Sequence, residues 1–216
     1  MLKSLNKMEA QEILSAYSEH VIEHNARPKS MAAFAKKLEI SESHIYKYYA
    51  NFKKMESEIF KHFIDNAIEL ADKNAENSEH QDSRESLLTF YFTLTEVLKA
   101  NRSLVVFMLP RAGASISQLQ VLKSAKSSFL KFIEKLDLET PALSFIPDYK
   151  MKEKALETAA WMQFCSILLY WLKDTSADFE KTDVFIEKSL KLSFDLAESS
   201  VIESMVDLGK FMFGKS

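Results

Sequence analysis

The sequence predicts an all-α protein, and three observations support that prediction. Three glycines and four prolines occur among 216 residues, roughly a quarter of average usage, so the chain lacks the turn residues that β-sandwiches and barrels need. Apolar residues recur at helical spacing through most of the chain. Sixteen Phe, seven Tyr and two Trp can bury a large apolar area, which excludes a disordered chain.

The first half of the chain predicts four helices. Residues 7–25 repeat Ile13, Tyr17 and Val21 every four positions, which is typical of a helix packed on one face. After Pro28 come two short helices, over residues 31–38 and then to about Tyr49. Asn51 is a candidate N-cap for a long helix whose apolar stripe comprises Met55, Ile59, Phe63, Ala67 and Leu70.

The second half predicts five more helices, about nine in all. The polar segment 74–84 is expected to be a loop, and Pro110, Gly113, Pro141 and Pro147 mark further breaks. The predicted helices cover residues 87–99, 104–109, 116–136, 148–173 and 178–211. Residues 158–172 form the longest uncharged apolar stretch, but it is shorter than the roughly 20 residues of a membrane span. We therefore expect a buried helix there and no membrane partner.

The overall charge and the cysteine content limit the possible functions. A formal net charge of −3 argues against a protein that coats polyanions along its whole surface. The single cysteine, Cys165, excludes an intrachain disulfide and is typical of a reducing, cytoplasmic location. His20 and His24 have a spacing compatible with a metal, but no third ligand is nearby in the sequence, so we expect surface histidines and no cofactor.

One segment differs in charge from the rest of the chain. Residues 27–54 carry seven basic and two acidic side chains, a net charge of +5, whereas the remainder is acidic. Such a block is either a solvated basic face or the electrostatic footprint of a nucleic-acid site. Charge alone does not separate these two interpretations.

Residues 31–49 within that block have the pattern of a helix-turn-helix. Phe34 and Ile45 would face inward from the two helices, Ala35 would lie where they cross, and Ser41 could cap the second helix. This pattern leaves mainly polar, aromatic and basic side chains exposed on the second helix, as a helix that enters the major groove requires. Those residues are Glu42, Ser43, His44, Tyr46 and Lys47, with Tyr48 half-covered.

Residues 34–49 resemble the signature of the TetR family of bacterial regulators, I-A-x-x-A-G-V-S-x-G-x-L-Y-x-Y-F. The resemblance implies that Ser43, His44 and Lys47 approach bases and that Tyr46 contacts phosphate. The full set of expected DNA-binding residues is Lys29, Ser30, Ser41, Glu42, Ser43, His44, Tyr46, Lys47, Tyr48, Lys53 and Lys54. Glu39 departs from the family at a turn position where glycine is preferred, and Phe52 stands where the family has a phosphate-binding lysine.

The resemblance also implies a division of the chain at residue 54. Residues 1–54 would form the DNA-binding domain, and residues 55–216 a helical domain that binds a small hydrophobic effector and dimerises through its last two helices. The expected pocket residues are Phe90, Phe107, Met108, Arg111, Phe129, Trp161 and Phe164. The expected dimer residues are Met162, Leu169, Ile186, Leu190, Phe194, Val201 and Met205.

These features predict a ligand-responsive, homodimeric repressor that binds a near-palindromic operator in double-stranded DNA. The alternative is a TetR-like protein that binds lipid or isoprenoid as an accessory factor and does not bind DNA. An enzyme is disfavoured, because no Glu-x-x-His pair, serine nucleophile elbow or His-Glu-x-x-His motif occurs in the sequence. The basic block with His44, Tyr46 and Lys47 favours the regulator, since a lipid carrier does not require it.

Overall fold

The computed structural model describes residues 8–76, 82–109, 120–138 and 140–212, and this part of the chain contains ten α-helices and no strand. The all-α prediction is confirmed. Within the described residues no helix is long and apolar enough to cross a membrane. The helices are α1 (Ala10–His24), α2 (Met31–Lys37), α3 (Glu42–Tyr46), α4 (Phe52–Glu76), α5 (Ser83–Ala100), α6 (Arg102–Met108), α7 (Lys123–Lys135), α8 (Tyr149–Lys173), α9 (Glu180–Glu198) and α10 (Val201–Met212).

The final predicted helix, residues 178–211, is divided into α9 and α10, so the described residues hold ten helices where about nine were predicted. Ser199 adopts an extended conformation (φ −90°, ψ 154°) and ends α9. Its hydroxyl donates to the Leu196 carbonyl at 3.0 Å, and such serine-to-backbone bonds compete with the helical ladder. The expectation of one continuous helix over residues 178–211 was wrong for this reason.

The chain forms two compact units, of which the first comprises Met1–Asn66 and Glu96–Ser128. Its core includes Ile13, Tyr17 and Val21 of α1, all at most 2% exposed, as their spacing predicts. A capping box between Glu9 and Glu12 begins α1, and Asn25 in the left-handed region ends it. Asn51 begins α4 as predicted, because its side-chain oxygen accepts from the Lys54 amide at 2.9 Å.

The second unit comprises Ala67–Thr95 and Phe129–Ser216. Asp148 caps α8 by accepting from the Met151 amide at 3.1 Å. At the other end of α8 the buried Asp174 accepts hydrogen bonds from the amides and hydroxyls of Ser176 and Thr182 at 2.6–2.9 Å. Burial opposes ionisation of Asp174, but these hydrogen bonds outweigh it and hold its pKa at about 2. This carboxylate therefore fixes the connection between α8 and α9.

Candidate nucleic-acid interface

Residues 31–46 form two short helices joined by a tight turn, as the motif predicts. Phe34 of α2 and Ile45 of α3 are buried in the core of the first unit. Ala35 is 2% exposed and lies on the inner face of α2. Ser41 begins α3, because its hydroxyl oxygen accepts from the His44 amide at 3.2 Å. The residues inferred from the sequence therefore build the helix-turn-helix in the expected way.

The turn between α2 and α3 keeps a geometry that normally uses glycine. Glu39 has φ 56°, in the left-handed region, and its amide donates to the Lys36 carbonyl at 3.2 Å. The Ile40 amide donates to the Ala35 carbonyl at 3.1 Å, which completes a Schellman motif. A residue with a Cβ in this conformation costs roughly 1 kcal/mol. The turn is thus unshifted and strained at Glu39.

The outer face of α3 presents a small set of polar side chains. Ser43, Tyr46 and Lys47 are exposed, and Tyr48 is 38% exposed. The Tyr46 hydroxyl donates to Glu42 at 2.8 Å, and this hydrogen bond raises the pKa of Tyr46. Within the described residues Lys47 makes no ion pair, so its ammonium group is available at the surface.

His44 lies in a different environment from the one inferred from the sequence. It was expected on the exposed row of α3, but it is half-buried. Its Nε2 lies 2.7 Å from the Met8 carbonyl, and its ring packs in a T-shaped arrangement with the Tyr48 ring, with the ring centroids 5.6 Å apart. Because a carbonyl only accepts, Nε2 carries the proton in this contact. His44 therefore anchors α3 to the chain that precedes α1, a long-range contact that helical periodicity does not reveal.

The two serines expected at the DNA surface are both helix caps. Ser30 accepts from the Ala33 amide at 3.1 Å, and Ser41 caps α3 as described. Each cap uses a lone pair of the oxygen and leaves a hydroxyl hydrogen that can donate elsewhere; the Ser41 oxygen also lies 3.0 Å from the Ser43 hydroxyl. Their role as phosphate contacts stays a prediction.

The basic block contains two kinds of cation. Arg27, Lys37 and Lys54 have acidic partners, at 2.7 Å from Glu56, 3.7 Å from Glu23 and 2.6 Å from Glu58, respectively. Lys54 also donates to Ser124 at 3.2 Å. The exposed cations with no carboxylate partner among the described residues are Lys29, Lys36, Lys47 and Lys53. Of the two lysines that begin α4, Lys53 is therefore the stronger phosphate-contact candidate.

A buried carboxylate that the sequence analysis did not single out links α1, α4 and Arg27. Glu56 is 2% exposed and accepts from Arg27 Nε at 2.7 Å, from Arg27 Nη2 at 2.8 Å and from the Tyr17 hydroxyl at 2.6 Å. Burial and the hydrogen bond to Glu56 raise the pKa of Tyr17, and the same carboxylate raises the pKa of Arg27. The sequence contained one signal of this burial, because Glu56 lies next to Met55 and three residues before Ile59, both in the apolar stripe of α4.

A protein-family model matches more than half of the whole chain, in the part that follows the helix-turn-helix. Residues 86–212 match the family model described as tetracyclin repressor-like, C-terminal domain. The chain belongs to the TetR family. The matched segment does not overlap residues 34–49. The family model and the helix-turn-helix resemblance therefore indicate the TetR family from two different parts of the chain. No curated protein sequence matches the chain.

The aromatic residues expected to line a TetR-like effector pocket in the second unit pack against one another. Phe90, Phe129 and Phe164 are at most 1% exposed. The Phe129 and Phe164 ring centroids are 4.8 Å apart, and Trp161 stacks on Phe164 at 5.0 Å. None of these four residues lines the apolar cavity found between α8, α9 and α10. Their assignment to a pocket stays a prediction, while their observed role is core packing.

The remaining expected pocket residues of this TetR-family chain lie in other places. Phe107 and Met108 belong to α6 in the first unit, where Met108 is buried and the Arg27 guanidinium lies 5.9 Å from the Phe107 ring centroid. Arg111 lies outside the described residues. The structure therefore does not gather the six predicted residues that it describes around one cavity.

The expected dimer residues divide into buried and exposed groups. Ile186 and Leu190 are at most 1% exposed within the single chain, so the α9 stripe that was assigned to a subunit interface faces the core of its own unit. Their assignment to a subunit interface is corrected, because both side chains are already buried within one chain, in which α9 packs on α8. Leu169 and Phe194 are half-buried. The exposed members are Met162 at 53%, Val201 at 49% and Met205 at 67%.

Proposed function

We propose that this TetR-family chain is a cytoplasmic, non-enzymatic transcriptional repressor that binds operator DNA as a homodimer. The observation that carries the proposal is the exposed face of α3, a five-residue helix held by the Schellman turn and presenting Ser43 and Lys47 to solvent. A helix presented in this way is suited to the major groove. The domain boundary at residue 54 is part of the proposal.

Base reading is assigned to Lys47 and Ser43. An exposed ammonium group can donate to guanine acceptors in the major groove, and a hydroxyl can contact either base type. Lys47 is favoured because no carboxylate among the described residues competes for it. Tyr46 has its hydroxyl engaged by Glu42, so its proposed phosphate contact requires that hydrogen bond to be exchanged.

Phosphate binding is assigned to two exposed lysines on either side of the helix-turn-helix. Lys29 lies just before α2, and Lys53 lies in the first turn of α4. Lys–phosphate contacts fix the position of the protein but carry no sequence information. Each such contact contributes about one unit to the dependence of binding on salt concentration. Two subunits would present two α3 helices to half-sites about one helical turn apart, so the operator is expected to be near-palindromic.

Duplex binding by single variants tests this proposal. Operator fragments are first selected from random duplexes, and fluorescence anisotropy then compares the operator with a scrambled duplex. Lys47→Ala should weaken operator binding by about 10-fold or more and largely spare the scrambled duplex. Lys53→Ala should weaken both equally and reduce the salt slope by about one unit. Lys131→Ala, an exposed lysine of α7, is the matched control.

The same anisotropy measurement tests the anchoring role of His44 and the alternative function, lipid binding without DNA binding. Because His44 anchors α3 to Met8, His44→Ala should lower the affinity for both duplexes together. Equal losses on both duplexes from Lys47→Ala would contradict its assignment to base reading. A folded chain that selects no duplex at low salt would overturn DNA binding and favour the lipid-binding alternative.

A further inference from the structure

The second unit contains a half-open apolar cavity that the sequence analysis did not predict. Its volume is about 220 Å³. One wall is α8, where Ala155, Ala159 and Ala160 replace the larger apolar residues found farther along the helix. The opposite wall is the end of α9 and the start of α10, including Phe194 and Ile202. Leu87 of α5, Ile133 of α7 and residues of the connection between α7 and α8 complete the lining.

The chemistry of the lining is apolar with a few neutral polar groups. Thr140, Gln163 and Ser193 are the polar residues that line the cavity, and none of its lining residues carries a formal charge. An ionised ligand would lose its hydration without gaining an opposite charge, which is costly. The cavity therefore favours an uncharged molecule.

Gln163 supplies a specific anchor. Its Nε2 atom is buried and has no hydrogen-bond partner among the described residues. A buried donor without a partner is destabilising. Because Nε2 is out of contact with solvent, the Gln163 amide would turn toward the cavity to meet an acceptor on a ligand, which would remove that penalty. A cavity of about 150 Å³ accommodates benzene, so this cavity suits a molecule of about nine non-hydrogen atoms.

We propose that this cavity is the effector site, and that its occupant is a neutral, largely apolar molecule with one hydrogen-bond acceptor directed at Gln163. The inference rests on the proposed function as a DNA-binding regulator, to which it adds a response to a small molecule. The ligand would contact α8, α9 and α10 together, so it binds most tightly when α10 is docked. Occupancy would thereby stabilise the position of α10, whose Val201 and Met205 are exposed.

The experiment uses the full-length chain and three probes with the same number of non-hydrogen atoms, namely acetophenone, n-propylbenzene and benzoate. Isothermal titration calorimetry should show acetophenone binding about fivefold tighter than n-propylbenzene, the effect of one hydrogen bond. Benzoate should bind at least about 10-fold more weakly than acetophenone. Hydrogen exchange should show slower exchange in α10 when acetophenone is bound.

Variants identify the site. Gln163→Leu should remove the preference for acetophenone, while Gln11→Leu, on the exposed face of α1, should keep it. Ala160→Leu fills the cavity and should abolish binding of both neutral probes; Ala155→Leu serves the same purpose if Ala160→Leu does not fold by circular dichroism. Duplex binding is measured on the same preparations.

Two sets of outcomes separate the inference from the proposed function. The cavity assignment is overturned if acetophenone does not bind at millimolar concentration, or if it binds equally well to the folded cavity-filling variants. It is also overturned if Gln163→Leu keeps the fivefold preference. Each of these results leaves DNA binding intact, whereas probe binding without duplex binding would refute the regulator and leave the ligand site in place.

Discussion

Arg27 belongs to the basic block, but its contacts predict that it stabilises the first unit rather than binding phosphate. Its guanidinium group makes two parallel hydrogen bonds to Glu56, at 2.7 and 2.8 Å. Glu56 is 2% exposed and Tyr17 is fully buried, so removing Arg27 would leave a buried carboxylate with the Tyr17 hydroxyl as its side-chain donor among the described residues. Replacing Arg27 with Ala is therefore the informative perturbation.

The expected loss of stability on replacing Arg27 follows from the burial of Glu56. Removing one partner of a buried pair costs about 3–5 kcal/mol, because the other charge stays buried without compensation. The Arg27 side chain is 44% exposed, so water screens part of the interaction and we expect about 3 kcal/mol. Glu56→Leu should cost about 1–3 kcal/mol, because it leaves the buried Tyr17 hydroxyl without its acceptor, whereas the half-exposed arginine can be hydrated. The double variant Arg27→Leu/Glu56→Leu should cost less than the sum, because it leaves no buried charge.

Urea denaturation followed by circular dichroism measures these free energies of unfolding, and the double-mutant cycle gives the coupling. Lys54→Ala is the matched control, since it breaks the more exposed pair with Glu58 and should cost less than about 1 kcal/mol. The reasoning is refuted if Arg27→Ala costs less than 1 kcal/mol and instead weakens binding to scrambled DNA. That result would make Arg27 a phosphate contact.

Two further predictions concern local structure in each unit. Glu39→Gly should raise the free energy of unfolding by about 1 kcal/mol, because glycine adopts φ 56° without strain; urea titration measures it, and Glu39→Ala should give no such gain. Asp174 has a pKa of about 2, below its ordinary 3.8, so its stabilising contribution is present above about pH 4 and is lost as the pH falls to 2. Asp174→Asn should lose about 2–3 kcal/mol at pH 7 and show a weaker decrease in stability over that acid range; an unchanged pH profile would contradict the assignment.

The sequence determined the helices and their local signals. The low glycine and proline content and the four-residue spacing of Ile13, Tyr17 and Val21 predicted the all-α fold and the buried face of α1. Caps at Ser41 and Asn51 marked helix starts, since a side-chain oxygen bonds to an amide only two or three residues away. These are local interactions, and the structure confirms them.

The periodicity of the sequence did not reveal the break between α9 and α10. The apolar repeat continues through residues 199 and 200, so periodicity alone predicted one helix. The serine hydroxyl at position 199 forms an alternative bond to the backbone, and local propensity gives only a weak preference between the two. How α10 packs against the turn at Pro141–Leu143 depends on residues distant in the sequence.

Only the tertiary structure decided which side chains belong to a surface and which to the core. The sequence predicted His44 as an exposed, DNA-facing residue and counted Arg27 in the basic block, yet His44 bonds to Met8 and Arg27 bonds to the buried Glu56. Ile186 and Leu190 read as an interface stripe, but α9 directs them into its own unit. Helical periodicity defines the faces of a helix and not the partner of each face, because that partner is set by contacts between segments far apart in the chain.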